Sequence, residues 1–398
     1  MNILVVTPLF YPTNAGYSNA VTNFVTTLGA QPGIQVSVVV LEKGADLQDG
    51  PHAGTKRLPG AGDWIPVKLL RHLVSQLAMA RQLRRHLVRN TYDLIFVETV
   101  ENPMVIWWAI ARVPALANKT ILRIHATQET EHFLDLDTLF FRFSRFFARR
   151  LIRAIPNIAA TTRYYIDFVK RRYLNDNVFS TFKNYAVIPN VAFAQPGDAA
   201  AGPGDDSGKV RIFLLGRMNR AGYVQKNFEL FAQALYLLKA RAPDVYARIA
   251  VTLVGDGDMA EGFSRMLAEL DIADAFTLVK ALPNLQVRAM QKSADFVAVV
   301  SRYEGQSMFA LEALMQGAPL IAGRGTGLDP LVDHGRNGFL VDPDDPQALC
   351  DILMAAPGCD RTAMRAASLA KAEAFSPDRT ARRFLEFAAL VRASRKAG

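Results

Sequence analysis

Short, mostly apolar runs rich in β-branched residues alternate with helical stretches along this chain, and the series occurs twice. Residues 3–7, 36–41, 94–97, 120–124, 158–160 and 186–188 form the first series, with a basic helical stretch at 67–88. A strand that is apolar along its whole length has to be covered on both faces, and a parallel sheet between two helical layers does this. Residues 210–215, 249–254, 276–279, 296–300, 320–322 and 338–341 repeat the pattern. Between the two series, residues 194–208 are mostly Gly, Pro, Ala and Asp and contain nothing that builds a core. The chain is therefore expected to be α/β, with two Rossmann-like domains, 1–195 and 209–377, on either side of a linker at 196–208.

At 398 residues the chain is long enough for two sizeable cores, and half of its residues are hydrophobic, which excludes disorder as a whole-chain description. Its two cysteines, Cys350 and Cys359, supply neither a disulfide framework nor Cys/His zinc spacing and suit a reducing compartment. Met1-Asn2 runs directly into Ile3-Leu4-Val5-Val6, without the basic start and longer apolar run of a signal peptide. No stretch reaches the roughly 18 apolar residues of a spanning helix; the longest, 104–117, is interrupted by Arg112 and Pro114. The expected location is cytoplasmic, free or peripheral on the inner face of the membrane.

Charge is unevenly spread. Residues 1–195 hold 22 Lys and Arg against 13 Asp and Glu, whereas 196–398 hold 24 of each, so the net +9 lies wholly in the first half. Residues 139–153 put Arg142, Arg145, Arg149 and Arg153 on one helical stripe, with Phe140, Phe143, Phe147 and Leu151 opposite. Lys68, Arg71, Arg81, Arg84, Arg85, Arg89, Lys170, Arg171 and Arg172 add to the excess. The ordinary outcome is a helix with its Phe side in the core and its Arg side in water. The concentration also suits an anionic partner, either a membrane surface or an acidic or lipid-linked acceptor.

Chemistry-bearing residues stand at strand ends. Glu304 and Glu312 flank Gly305-Gln306-Ser307-Met308-Phe309, where an apolar run passes through a loop into a helix. A helix start offers free N–H groups and a positive dipole end to phosphate. Gly216-Arg217 closes the run at 210–215, and Lys226-Asn227 follows at the expected start of a further helix. Two cations there suit a diphosphate, although solvated surface charges are the plain alternative. His125 closes the run at 120–124, where strand ends carry ligands in open α/β sheets. Gly255-Asp256-Gly257 is expected to be a backbone turn. Asp135-x-Asp137 and Asp256-x-Asp258 are spacings too common to define a metal site, and no metal is expected. Paired carboxylates of the hydrolase kind have to face one another across a substrate, which a loop-plus-helix placement disfavours.

These residues, in this order, resemble the GT-B glycosyltransferases, in particular the retaining group 1, family 4-like enzymes with a Glu-x7-Glu signature. The likeness rests on Ser301 to Glu312, Gly317-Ala318-Pro319, Asn337-Gly338-Phe339 and Pro343-Asp344-Asp345, preceded in order by Ile188-Pro189-Asn190, Gly216-Arg217, Lys226-Asn227 and Gly255-Asp256-Gly257. It implies two Rossmann-like domains facing across a cleft, an acceptor-side domain at 1–195 and a nucleotide-sugar domain at 209–377. The helix at 378–392 would pack back on the first domain. It also implies that Arg217 and Lys226 hold the donor diphosphate with the backbone at Gly16, Gly216, Gly305, Ser307, Met308 and Phe309. Glu304 would contact the transferred sugar, Glu312 the ribose, His125 the reacting sugar, and Leu282 would lie near the base. The implied activity is retaining, metal-independent hexosyl transfer from a nucleoside diphosphate sugar to a glycan or lipid-linked acceptor, with no cofactor, as in surface polysaccharide or glycoconjugate biosynthesis. The usual Glu-Gly-Phe-Gly is here Glu304-Gly305-Gln306-Ser307, and the usual Gly-Gly of the first loop is Ala15-Gly16. An epimerase or sugar phosphorylase on the same fold and a non-catalytic nucleotide-binding assembly protein are the alternatives. A nucleic-acid binder would leave the glutamate pattern without a purpose, so no nucleic-acid partner is expected.

Overall fold

The computed structural model describes residues 1–8, 10, 16–41, 55–57, 68–98, 102–125, 139–174, 183–193 and 208–396, some at element ends by backbone alone. The linker read at 196–208 lies outside them except for Gly208. The chain divides into two compact units, Met1–Val191 with Pro377–Gly398, and Ala192–Ser376.

In the first unit the elements run β1 (Asn2–Thr7), α1 (Gly16–Gly29), β2 (Gln35–Val40), β3 (Thr55–Arg57), α2 (Lys68–Arg89), β4 (Leu94–Glu98) and α3 (Pro103–Ile106). A π-helical turn (Trp107–Ala111) leads to α4 (Pro114–Ala117), β5 (Thr120–Ile124), α5 (Leu139–Ala154), β6 (Asn157–Ala160), α6 (Arg163–Leu174) and β7 (Asn184–Val187). The strands form one seven-stranded sheet in the order β3-β2-β1-β4-β5-β6-β7, parallel throughout. Successive residues of a strand point to opposite faces. Leu4, Val6, Ile95, Val97 and Leu122 therefore share a core with Met79 and Leu83 of α2, Val105, and Ala148, Leu151 and Ile152 of α5. Ile3, Val5, Leu94, Phe96 and Ile121 face Val21, Phe24 and Leu28 of α1 on the other side.

The second unit runs β8 (Val210–Leu215), α7 (Arg220–Lys226), α8 (Phe228–Arg241), α9 (Pro243–Tyr246), β9 (Ile249–Val254), α10 (Ala260–Glu269), β10 (Phe276–Val279), α11 (Asn284–Ser293) and β11 (Phe296–Val299). It continues with α12 (Met308–Met315), β12 (Leu320–Gly323), β13 (Gly338–Val341), α13 (Pro346–Ala355) and α14 (Arg361–Ala372). Its six-stranded sheet, again parallel, has the order β10-β9-β8-β11-β12-β13.

The last helix, α15 (Pro377–Lys396), belongs to the first unit although it follows the second in the chain. Its Phe384, Phe387 and Val391 complete the core around Phe24 and Phe96. The Phe384 ring stands edge-on to both, 5.6 and 5.3 Å between centroids.

Three local details differ from the sequence pattern. Ser18 or Asn19 could cap a helix running to Leu28, but α1 begins at Gly16, so Ser18 lies inside it, 1% exposed. Lys226-Asn227 ends a short helix: Asn219 caps α7 by accepting from the Gly222 N–H at 2.8 Å, and Asn227 closes it in the left-handed region at φ 59°. On α5 the buried face is Ser144, Ala148, Leu151 and Ile152, while Phe143 and Phe147 are only half-buried and Phe146 is 49% exposed.

Replacing Phe384 by Ala removes a fully buried ring that closes the α1 side of the sheet. The expected cost is about 3–5 kcal/mol, read as a lowered urea midpoint of the Phe384→Ala protein with the second unit's transition unmoved.

Candidate active site

In the second sheet β8 and β11 are neighbours, yet the chain leaves β8 toward β9 and leaves β11 toward β12. Loops that depart in opposite directions open a crevice at the carboxyl ends of these two strands, the usual ligand position in such sheets. Gly216-Arg217 stands on one side of it and Ser301 to Ser307 on the other. A Cβ on Gly216 would fall 2.7 Å from Cγ of Lys226, so the glycine leaves room for the lysine stem. The Lys226 Nζ donates to Oε2 of Glu304 at 2.6 Å, with the two side chains 19% and 13% exposed. The Ser301 hydroxyl donates to the same oxygen at 3.3 Å. Asn227 donates to the Pro343 carbonyl at 2.7 Å and so fixes the turn that aims Lys226.

The loop after Glu304 is held by its neighbour. The Gly327 N–H donates to the Glu304 carbonyl at 2.9 Å, and a Cβ on Gly327 would fall 1.6 Å from the Gly305 oxygen. Ser307 then caps α12 by accepting from the Ala310 N–H at 3.3 Å. The first-turn N–H groups of Met308 and Phe309 have no carbonyl a turn earlier to bond, and the positive helix end adds to them. Packing fixes this turn: the Phe309 ring lies edge-on to Phe213 at 5.4 Å, and Gln291 donates to the Phe309 carbonyl at 2.9 Å. Glu312 is half-buried one turn along α12, Arg217 is exposed, and Leu282 is half-buried between β10 and α11. The structure thus gathers Gly216, Lys226, Glu304, Gly305, Ser307, Met308 and Phe309 around one crevice, with Arg217 and Glu312 on its bordering elements. Two cations, free amides and a carboxylate can hold a diphosphate and orient a hydroxyl-rich group.

The first sheet has the same topology, with its crossing point between β1 and β4. His125 follows β5 here, 9% exposed. Its Nε2 lies 2.5 Å from Oε2 of Glu98, the last residue of β4. The other Glu98 oxygen accepts from Nη1 of Arg123 at 3.1 Å, and neither of those side chains is exposed. Arg123 also donates to the carbonyls of Ile188 (3.1 Å) and Pro189 (2.8 Å) and to Oδ1 of Asn190 (3.0 Å). The Tyr17 hydroxyl reaches the Glu98 carbonyl at 3.3 Å, and its ring stands edge-on to His125 at 5.1 Å. Gly16 is the first residue of α1, beside Tyr17, while the loop at 11–15 lies outside the described residues.

Burial pushes the Glu98 carboxyl up, but Arg123 and then His125 outweigh it and hold the group below the ordinary carboxylate range. Burial holds the His125 imidazole below its ordinary value despite Glu98, and the Arg123 charge acts in the same direction as burial. An ionised carboxylate only accepts, so Nε2 of His125 carries the donated proton. In the neutral ring Nδ1 is then left as an acceptor.

The sequence pattern placed His125 but missed Glu98 and Arg123. Their signal was present: a carboxylate ending the apolar run at 94–97, and an arginine inside the run at 120–124, where burial requires a partner. Asp256 accepts the Gly257 N–H at 3.0 Å within its turn, and Asp135 and Asp137 lie outside the described residues. Among the described residues no three His, Cys, Asp or Glu side chains converge.

Comparison with known proteins agrees with this architecture. The family model described as glycosyl transferases group 1 matches residues 209–356. The D-inositol 3-phosphate glycosyltransferase of Corynebacterium urealyticum is 32% identical over 183 residues, 44% of this chain and 42% of that enzyme. The chain thus spans less than half the length of the relative it matches. A lipopolysaccharide outer core galactosyltransferase in its apo form superposes with a TM-score of 0.72 at 14% identity, covering 97% of this chain and 99% of that one. HepE of Anabaena in complex with UDP does so at 0.67 and 17%, covering 97% and 99%. Two parallel Rossmann-like sheets with these neighbours define the GT-B fold class. The likeness to the glycosyl transferases group 1 family rests on residues 209–356, in the second unit.

Glu98 and His125 both sit below their ordinary values, so their stabilisation is complete above the unfolded pKa values, about 6.5 for His and 4.3 for Glu. It is lost as pH falls through them, and the urea midpoint is expected to drop steadily from pH 7 to pH 4. Glu98→Gln leaves Arg123 buried without a counter-charge and should cost about 3–5 kcal/mol at pH 7. A midpoint within about 1 kcal/mol of wild type would show that Arg123 is satisfied by the three oxygens at 188–190 alone.

Proposed function

We propose that the chain is a retaining glycosyltransferase that moves a hexose-type sugar from a nucleoside diphosphate donor to a glycan or lipid-linked acceptor. The observation that carries this is the Lys226–Glu304 pair at the β8/β11 crevice, beside the capped start of α12. Lys226 and Arg217 bind the donor diphosphate, and the Met308 and Phe309 amides take a phosphate oxygen. When the diphosphate enters, Lys226 is shared between it and Glu304, which turns the carboxylate toward the sugar hydroxyls. Glu312 accepts from the ribose hydroxyls and Leu282 lies against the base. Negative charge develops on the diphosphate as the glycosidic bond breaks, and prearranged cations and amides stabilise it without reorganising. The departing phosphate accepts the acceptor proton on the same face of the sugar, so the configuration is retained. His125 offers Nδ1 to a hydroxyl of the reacting sugar, held in place by Glu98.

Support comes from the match of residues 209–356 to the glycosyl transferases group 1 family and from the diphosphate nucleotide in the HepE complex, whose fold this chain shares. No metal is assigned a step: two cations and a helix start can neutralise the diphosphate. The setting is the cytoplasmic side of the membrane, where surface polysaccharides and glycolipids are extended.

Donor hydrolysis and transfer assays over a panel of UDP- and GDP-sugars test the proposal. Glu304→Gln, Arg217→Ala and Lys226→Ala are each expected to lower kcat about 10²–10³-fold with unchanged thermal unfolding. Near-wild-type turnover in the two cation variants would place the diphosphate elsewhere. Glu312→Ala should chiefly raise the donor KM, because ribose contacts bind ground and transition states alike. Turnover of donor into an epimer without acceptor would favour an epimerase instead.

EDTA-treated enzyme is expected to retain its rate. Activity that returns only with Mg²⁺ or Mn²⁺ would overturn the metal-free assignment.

A further inference from the structure

A second feature of the first unit lies on the flank of the sheet, away from the strand ends. Arg142, Arg145, Arg149, Arg150 and Arg153 of α5, with Phe146 and Trp107, line an open concavity of about 680 Å³. Helical spacing explains the cluster: positions 142, 145, 146, 149, 150 and 153 fall within one arc of about 140° at 100° per residue. The opposite side of α5, Ala148, Leu151 and Ile152, is in the core, so this arc has to face outward.

The arginines are arranged on aromatic faces. The Arg150 guanidinium lies 4.4 Å from the Phe146 centroid and 5.7 Å from that of Trp107, and Arg112 lies 5.3 Å from Trp107. Phe147 stands edge-on to both rings, 5.3 Å from each. A stacked guanidinium uses its face for the ring and keeps its edge N–H groups free for a planar, bidentate partner such as phosphate.

Charge bookkeeping separates this cluster from an ordinary solvated surface. Some exposed arginines elsewhere meet carboxylates, as in Arg163–Asp167, Arg241–Asp351 and Arg302–Asp344. Among the described residues none of the five guanidinium groups of the concavity meets a carboxylate, and no acidic residue lines it. Five like charges that close repel one another, and an anion relieves that repulsion.

The surroundings indicate which anion. Helix α2 packs beside α3 and the π-helical turn over the same core, and its Arg81, Arg85 and Arg89 are exposed. Two apolar side chains protrude among these cations, Val88 at 73% exposure and Phe146 at 49%. A face that only follows nucleic-acid phosphates gains little from an isolated exposed Val. A face that sinks a short way into a lipid headgroup layer gains from each apolar side chain it buries.

We infer that the α5/π-turn concavity seats phosphate headgroups of an anionic membrane leaflet, with Phe146 and Val88 entering the interface. This surface is independent of the donor site. It suits the transfer reaction proposed above by bringing the enzyme to a lipid-linked acceptor, but its test reads membranes alone.

The full chain is sedimented with vesicles of phosphatidylcholine alone or mixed equally with phosphatidylglycerol, at low and high salt. Anionic vesicles should bind at least tenfold better at low salt, and high salt should remove most of the difference. R145Q/R149Q/R153Q is expected to weaken binding about a hundredfold, each basic residue near the surface contributing severalfold. The same charge change on the second unit, R265Q/R324Q/R336Q, should leave binding within about threefold, because none of those residues belongs to the α5/π-turn cluster. Phe146→Asp should weaken binding with unchanged circular dichroism. Equal binding to neutral and anionic vesicles would overturn the inference, as would equal losses in the two triple variants. So would tight binding of a DNA duplex by a protein that ignores vesicles.

Discussion

The Arg123–Glu98 pair is the interaction on which the first unit's working end depends. Both side chains are fully buried at the carboxyl ends of adjacent strands, where an unpaired charge would be very costly. Each partner has further work. Glu98 holds His125 by its second oxygen, and Arg123 collects three oxygens from residues 188–190, where the chain leaves the sheet. One ion pair therefore sets the orientation of an imidazole and of the exit from the last strand. A hydrophobic pair of the same volume could fill the space but could not orient either.

The second unit solves a related problem differently. Its Lys226–Glu304 pair is partly open to solvent, and its geometry comes from backbone devices. These are a left-handed Asn227, a Gly216 that lets the lysine stem pass, and a Gly327 that lets two loops touch. A buried pair in one unit gives permanence. A half-open pair in the other can exchange partners. The two sheets share a topology and place these contrasting pairs at equivalent crossing points.

Much of the fold was legible in the sequence because parallel strands are apolar on both faces and punctuated by Gly and Pro. The runs at 120–124, 210–215, 249–254, 276–279 and 338–341 coincide with strands residue for residue. The residues at the β8/β11 crevice were legible as well, since Gly216, Glu304 and Ser307 each follow a strand at short range. Helix α7 was not, because it depends on Asn219 capping a seven-residue segment that is otherwise loop-like. Glu98 and Arg123 were overlooked because their meaning is mutual: either alone looks like an error in an apolar strand. The Phe side of α5 misled for a related reason. Helical spacing locates an apolar face, but small residues at Ser144 and Ala148 decided which side approached the sheet, and the larger rings were left to shape the concavity with Trp107.

Helix α15 gives the chain an order of assembly. Phe24 and Phe96 lie in the first part of the sequence, while the Phe384 that covers them comes after the whole second unit. During synthesis the second unit has every strand and helix of its core available before α15 emerges. The first unit waits through that interval with one face of its sheet covered by α1 but not yet by α15. A ribosome-bound intermediate with a finished second unit and a partly covered first-unit sheet is a direct product of this chain order. Apolar surface displayed in that interval is a natural point for a chaperone to act, and nascent chains stalled between Ser376 and Phe384 are those that would display it longest.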